Sequence, residues 1–277
     1  RQVQVFFESA MGPLTVHVRP RVADDTGFQL QVFWAEVKAG THWRFRFGKH
    51  FIPLSREDWT SPQDILTTEY SPHNFAYAFG TSYGAFARYD STRHRAWFSL
   101  HTNAPDGTNN EFPSVTNDLS GAVRWEFVPV GDFAGFSDLV GRRGRPLSVL
   151  LGASLGAVGE LGEVQEGNEA AVQGNVDLSD DSNGVHAMIA GSLTWVDPFG
   201  GVPFYVWGGV GQIGTFVHEH VQLYTQYSLL SPGTVPEDFA WWHSTNAGIN
   251  YFIFKWTNRH RIGLEGGAVF APTNDTF

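Results

Sequence analysis

"THWRFRFGKHFIPL", Thr41 to Leu54, alternates rings with cations: Trp43, Phe45 and Phe47 hold the odd positions, Arg44 and Arg46 the even ones. A strand has a side-chain period of two, so the rings share one face and the guanidinium groups the other. In a soluble protein the ring face would be the core and the arginines would meet water. In a membrane barrel the assignment reverses, and the rest of the chain has to decide which applies.

The same alternation recurs from end to end. "PLTVHVRPR" (Pro13 to Arg21) separates Leu14, Val16 and Val18 from Thr15, His17, Arg19 and Arg21. "AVRWEFV" (Ala122 to Val128) separates Val123, Trp125 and Phe127 from Arg124 and Glu126, and "RIGLEGG" sets Ile262 and Leu264 against Arg261 and Glu265. Helical periodicity is almost absent, and turn residues bound each alternating segment. Fourteen strands are expected, near 2–9, 13–23, 28–39, 42–52, 83–91, 93–103, 120–131, 147–159, 170–179, 184–197, 202–213, 219–230, 242–254 and 258–270.

Connections alternate as well. Those at 53–82, 104–119 and 231–241 are long, and most of the others are tight. Long loops on one side and short turns on the other is the habit of outer-membrane barrels. Two connections break the pattern: "DFAGFSDLVGRRGRP" (Asp132 to Pro146) is long on the short-turn side, and "PFGG" (Pro198 to Gly201) is short on the long-loop side. The alternation also leaves both ends of the chain on the long-loop side. One further strand at each end, sixteen in all, would return them to the other side.

Composition narrows the class. Charged residues make up 17% of the 277 positions, below the roughly 25% usual for soluble domains. There is no cysteine, which excludes a disulfide scaffold and thiolate metal sites, and the net charge of −10 argues against a nucleic-acid partner. No apolar run reaches the roughly 20 residues a membrane helix needs, which says nothing against a barrel. Rings gather near strand ends, at Trp34, Trp43, Trp195, Trp207, Trp241, Trp242, Tyr251 and Trp256. An aromatic girdle accounts for that placement better than a sandwich core does. The expected fold is an all-β transmembrane antiparallel barrel forming one domain over 1–277.

Several stretches sharpen the class. "FQLQVFWAEVKAGTHWRFRFGKHFIPLSREDWTSPQDIL" (Phe28 to Leu66) resembles the phosphate-selective, polyphosphate-porin-like family, where a strand pair leads into a G-x-x-K/H-x-P-x-x-R/E stretch and a serine-containing loop. "SYGAFARYDSTRHRAWFSLHTNAPDG" (Ser82 to Gly107) resembles that family's next hairpin. "SGAVRWEFVPVGDFAGFSD" (Ser120 to Asp138), "LYTQYSLL" (Leu223 to Leu230) and "STNAGINYFIF" (Ser244 to Phe254) resemble later strands. The resemblance implies a sixteen-stranded trimeric porin of the bacterial outer membrane whose third loop folds inward.

The candidate site follows from the faces. Arg19, Arg21, Arg44, Arg46, Arg88, Arg124 and Arg261 are expected to line a water-filled lumen, where guanidinium groups lower the barrier to anions. The bland alternative is that each pairs with a lumen acid such as Glu36, Glu126 or Glu265 and braces the wall. The 53–82 loop is expected to narrow the pore, with Arg56, Glu57, Asp58 and His73 setting its field; the alternative is an external lid or a latch between copies. Lysine is too scarce to carry over the family's phosphate specificity. "GVGQIG" (Gly209 to Gly214) lies in a strand with no helix after it, so it reads as thinned wall rather than a dinucleotide loop. "HEH" (His218 to Glu219 to His220) offers two ligands without a third, so no metal and no cofactor is expected. No catalytic constellation has local context, which points away from an enzyme. The function these residues suggest is passive passage of small hydrophilic solutes, with a mild anion preference. The competing readings are a soluble carbohydrate-binding β domain and a structural outer-membrane barrel.

Overall fold

The structure is a computed structural model, and it describes residues 2–4, 7–23, 27–60, 65–67, 70–77, 80–102, 119–136, 139–140, 147–159, 167–180, 184–198, 202–231, 242–253 and 261–270. Its strands are β1 (Gln2–Gln4), β2 (Phe7–Met11), β3 (Leu14–Ala23), β4 (Gly27–Ala39), β5 (Trp43–Phe51), β6 (Thr81–Asp90), β7 (His94–Thr102) and β8 (Leu119–Val130). They continue as β9 (Ser148–Gly159), β10 (Gly167–Asp180), β11 (Val185–Pro198), β12 (Phe204–His218), β13 (Val221–Ser231), β14 (Trp242–Phe252) and β15 (Arg261–Phe270). One helical turn and a half, α1 (Pro72–Tyr77), interrupts the β5–β6 loop.

Every strand pairs antiparallel with its sequence neighbour, in chain order from β3 to β15. β1 and β2 both pair with β3, at its two ends, so they are halves of one strand position. That leaves the fourteen positions the alternation predicts, with boundaries within a few residues. Pro20, which has no N–H to give a ladder, falls at a register shift between β3 and β4.

The sheet is strongly curled. Laid flat at about 4.8 Å per strand, β3 and β15 would lie almost 60 Å apart. Yet a single inward loop reaches both: Arg19 of β3 donates to the Tyr70 hydroxyl, and Arg261 of β15 donates to the Ile65 carbonyl at 2.5 Å. The fold is an antiparallel transmembrane β-barrel, and among the described residues β15 and β1 are not paired with each other.

The faces are inverted relative to a soluble sandwich. Trp43, Phe45 and Phe47 are exposed on the outside, as are Phe98, Leu100, Val123, Leu155 and Ile189 around the wall. The opposite positions, Glu36, Ser99, Arg124, Glu126, Ser192 and Gln226, are buried inside. An apolar exterior around a polar interior is what a lipid solvent selects. Outward rings include Trp43, Trp125, Trp207, Trp242 and Tyr251. Trp34 departs from the girdle expectation: it is buried, on the inward face it shares with Glu36 and Val32. Trp241 and Trp256 lie outside the described residues.

Candidate channel constriction

The long loop between β5 and β6 turns into the barrel. Ile52, Leu54, Arg56, Glu57, Asp58, Ile65 and Leu66 are all buried, and so are Ser71, His73 and Asn74 around α1. Backbone groups taken out of water need partners, and the wall supplies them. Arg124 Nη1 of β8 and Ser154 Oγ of β9 donate to the Leu54 carbonyl at 2.9 and 2.7 Å. Asn250 Nδ2 of β14 donates to Leu66 at 2.8 Å, and Arg261 Nη2 of β15 donates to Thr67 at 2.9 Å. The loop therefore crosses the lumen from β8 and β9 to β14 and β15. The inward face of Gly214 on β12 makes the approach possible, because a Cβ there would stand 2.5 Å from Leu66 Cδ1. This gives a role to the last glycine of "GVGQIG", which runs as strand throughout.

Internal bonds hold the loop's shape. Glu57 accepts from the Ser71 N–H at 2.5 Å and from the Ser71 hydroxyl at 2.6 Å. Ser55 Oγ donates to Asn74 Oδ1 at 2.5 Å, and the Tyr70 hydroxyl donates to the Thr60 carbonyl at 3.0 Å. Burial pushes both acids up to about 7, Glu57 against the two Ser71 bonds and Asp58 against its bond from Asn74. His73 shares a hydrogen bond with Ser192 of β11 at 3.0 Å, and burial lowers it to about 4. Its bond to Ser192 ties α1 to the wall. Arg56 is buried too, and donates to the Phe136 carbonyl.

The basic wall lies on β4 to β8. Arg46 pairs with Glu36 at 2.8 Å, and its guanidinium stands 3.7 Å from the Trp34 ring and 4.6 Å from Phe86. Inward Trp34 is thus half of a stack on a buried cation. Arg44 reaches both Asp90 at 3.1 Å and Glu36 at 3.4 Å. Arg88 and Arg95 converge on the same Asp90 at 2.9 and 3.2 Å. Among the described residues these four guanidinium groups make their ion pairs with two carboxylates, and Glu126 acts on Arg95 as well. Arg95 was not among the sequence candidates, although "RHRAWF" gives it the same parity as inward Trp97.

The remaining candidates divide by task. Arg124 pairs with Glu126 at 2.9 Å and is fully buried beneath the loop. Arg261 is spent on loop carbonyls and Arg19 on Tyr70. Arg44 keeps 34% side-chain exposure, more than Arg88 at 18% or Arg46 at 12%. The Arg21 side chain lies outside the described residues, as do 61–64, 68–69 and 78–79 of the loop. His218 and His220 sit at the β12–β13 turn, and among the described residues no three potential ligands cluster for a metal.

A barrel wall greasy outside and charged inside, with its longest loop strapped across the lumen, defines the fold of the outer-membrane porins. Solved structures agree. The chain aligns with the anion-selective porin from Comamonas acidovorans at TM-score 0.59 and 13% identity, over 96% of this chain and 76% of that one. It aligns with the trimer form of in-vitro folded OmpT, an outer membrane protein of Vibrio cholerae, at TM-score 0.55 and 12% identity, over 98% and 80%. With Salmonella typhi OmpF in complex with daunomycin the values are 0.54 and 13%, over 92% and 78%. No protein-family model and no curated sequence matches the chain.

Proposed function

We propose that the chain is a porin of the bacterial outer membrane, a passive channel for small hydrophilic solutes with a mild preference for anions. The observation that carries this is the inward patch in which, among the described residues, Arg44, Arg46, Arg88 and Arg95 make their ion pairs with Glu36 and Asp90, with Glu126 also acting on Arg95. Fixed positive charge beside a water path lowers the barrier for an anion and raises it for a cation. The preference is mild because the carboxylates offset part of the charge and because Arg46 and Arg124 are braces rather than free sites. Phosphate selectivity is no part of this reading, because the described guanidinium groups are engaged by carboxylates, by loop carbonyls or by the Tyr70 hydroxyl. A homotrimer, with lipid around its outer face, is the assembly that belongs to this reading. No cofactor and no chemical step enters it.

Reconstitution into planar bilayers, with liposome swelling in neutral sugars of graded size, tests the proposal. Stable ohmic steps and a size cut-off are expected. A protein that extracts without detergent and shows no heat-dependent shift on a denaturing gel would return the soluble carbohydrate-binding reading. A heat-modifiable barrel with no conductance would leave the structural-barrel reading in its place.

A further inference from the structure

The connection between β8 and β9 leaves the wall on the side where most connections are tight, yet it does not turn back at once. Its described part enters the barrel. Phe133 and Phe136 pack with Val128 of β8 and Leu150 of β9, and the Arg95 guanidinium lies 3.9 Å from the Phe133 ring. From there the segment meets the inward loop, whose Arg56 donates to the Phe136 carbonyl. It then reaches the far wall: Leu139 packs with Ile65 of the loop, Met188 and Ala190 of β11, and Val210 of β12, with Tyr70 against them. Gln222 of β13 donates to the Val140 carbonyl.

The facing wall offers an apolar patch at this contact. Along β11 the inward side chains run Val196, Thr194, Ser192, Ala190, Met188 and His186, and on β12 Val210 pairs with Ala190 while Gln212 pairs with Met188. Ala190, Met188 and Val210 form the apolar patch on which Ile65 and Leu139 pack, and a second inward pair, Val196 and Val206, lies apart from it. Ile65, Leu139, Val140 and Met188 are each no more than 1% exposed. A dry apolar contact gives a hydrated ion nothing to replace its water shell, and such constrictions block by dewetting.

We propose that Phe133–Phe136 with Leu139 and Val140 form a second inward segment that seals the short-turn side of the lumen against loop 52–80. The conductance of the channel is then limited by how often, or how far, the two part. This rests on the channel reading above and adds to it a second, apolar constriction entering from the opposite side to the loop.

The test uses the full chain in planar bilayers. Leu139→Asn wets the seal from the segment, and Met188→Asn wets it from the wall. Each is expected to raise single-channel conductance or open fraction about twofold or more, with heat-modifiable migration retained. If both variants migrate as barrels and conduct like the unaltered chain, the seal is refuted while the channel reading stands. If neither the unaltered chain nor the variants pass current, the channel reading falls and the seal with it. A second measurement needs no change in conductance: the chain has no cysteine, so Leu139→Cys can be compared with Thr41→Cys, at an exposed short turn, for reaction with a charged methanethiosulfonate. Sealing predicts labelling at Leu139→Cys at least about tenfold slower; equal rates would overturn it.

Discussion

At the residue scale, parity decides almost everything. Arg44 and Arg46 are adjacent in parity and chemistry, but the structure gives them different work. Arg44 is the more exposed and is held by two acids that it shares, so Arg44→Glu should fold and shift the reversal potential toward cations; an unchanged potential would remove Arg44 from the path. Arg46 is stacked on Trp34 and forked to Glu36, so Arg46→Glu would place two carboxylates together in a buried site and lower the yield of assembled barrel. In sequence the two look alike because strand periodicity reports a face and not a depth. Trp34 was legible by the same rule, since it shares parity with Glu36, but its ring suggested the girdle and masked the parity. Gly248 of β14 shows what no pattern announces. Tyr224 of β13 lies over it to donate to Glu265 of β15 at 2.7 Å. A Cβ at Gly248 would stand 2.4 Å from the Tyr224 hydroxyl and 2.5 Å from the Leu264 carbonyl, which belongs to the ladder and cannot retreat. Gly248→Ala should cost about 1–3 kcal/mol, read as a lower temperature for the heat-modifiable gel shift.

At the element scale, strands and loops obey different rules. β5 has to present its rings to lipid, so Phe45→Arg should impair membrane assembly, by about 2–4 kcal/mol where the site is at the bilayer midplane. The refolded fraction in lipid vesicles measures it, and normal refolding would contradict the outward assignment. The β5–β6 loop is held by carboxyl groups that burial raises to about 7, Glu57 and Asp58, with Arg19 and Tyr70 beside Asp58. A carboxyl whose pKa rises on folding adds stability in its protonated form. That contribution is complete below the ordinary carboxylate range and is lost as pH climbs through about 7. Loop docking should therefore be firmest below about pH 4, weaken as pH rises, and be loosest above pH 7. Current noise should rise with pH over that window, less so in Glu57→Gln; noise that falls with pH would contradict the sign. The inward course of this loop was suggested by its length, its aromatics and the family resemblance. Its tie points were not legible, because most are carbonyl acceptors at Leu54, Ile65, Leu66 and Thr67, and a carbonyl is the same in every residue. The β8–β9 segment was visible only as an exception, too long for its side, with no periodicity to say that it turns inward.

At the scale of the whole molecule, the fold was readable because a barrel repeats one constraint in every strand. Two faces, one in lipid and one in the lumen, imposed the same alternation fourteen times, and the long and short connections, two exceptions aside, assigned the strand ends to two sides. What fills the barrel obeys no repeated constraint. The pairing of Arg95 with Asp90, the stack on Arg46 and the apolar contact at Leu139 each arise from segments far apart in sequence. The two levels meet in one arrangement: a wall inverted toward lipid encloses a patch that, among the described residues, holds more guanidinium groups than carboxylates. The most direct measurement is the zero-current potential of the reconstituted protein across a bilayer with a tenfold potassium chloride gradient. The account predicts steady channels whose reversal potential lies on the chloride side of zero, by less than an ideally selective anion pore would give. A reversal potential on the potassium side, or a folded barrel that passes no current, would contradict it.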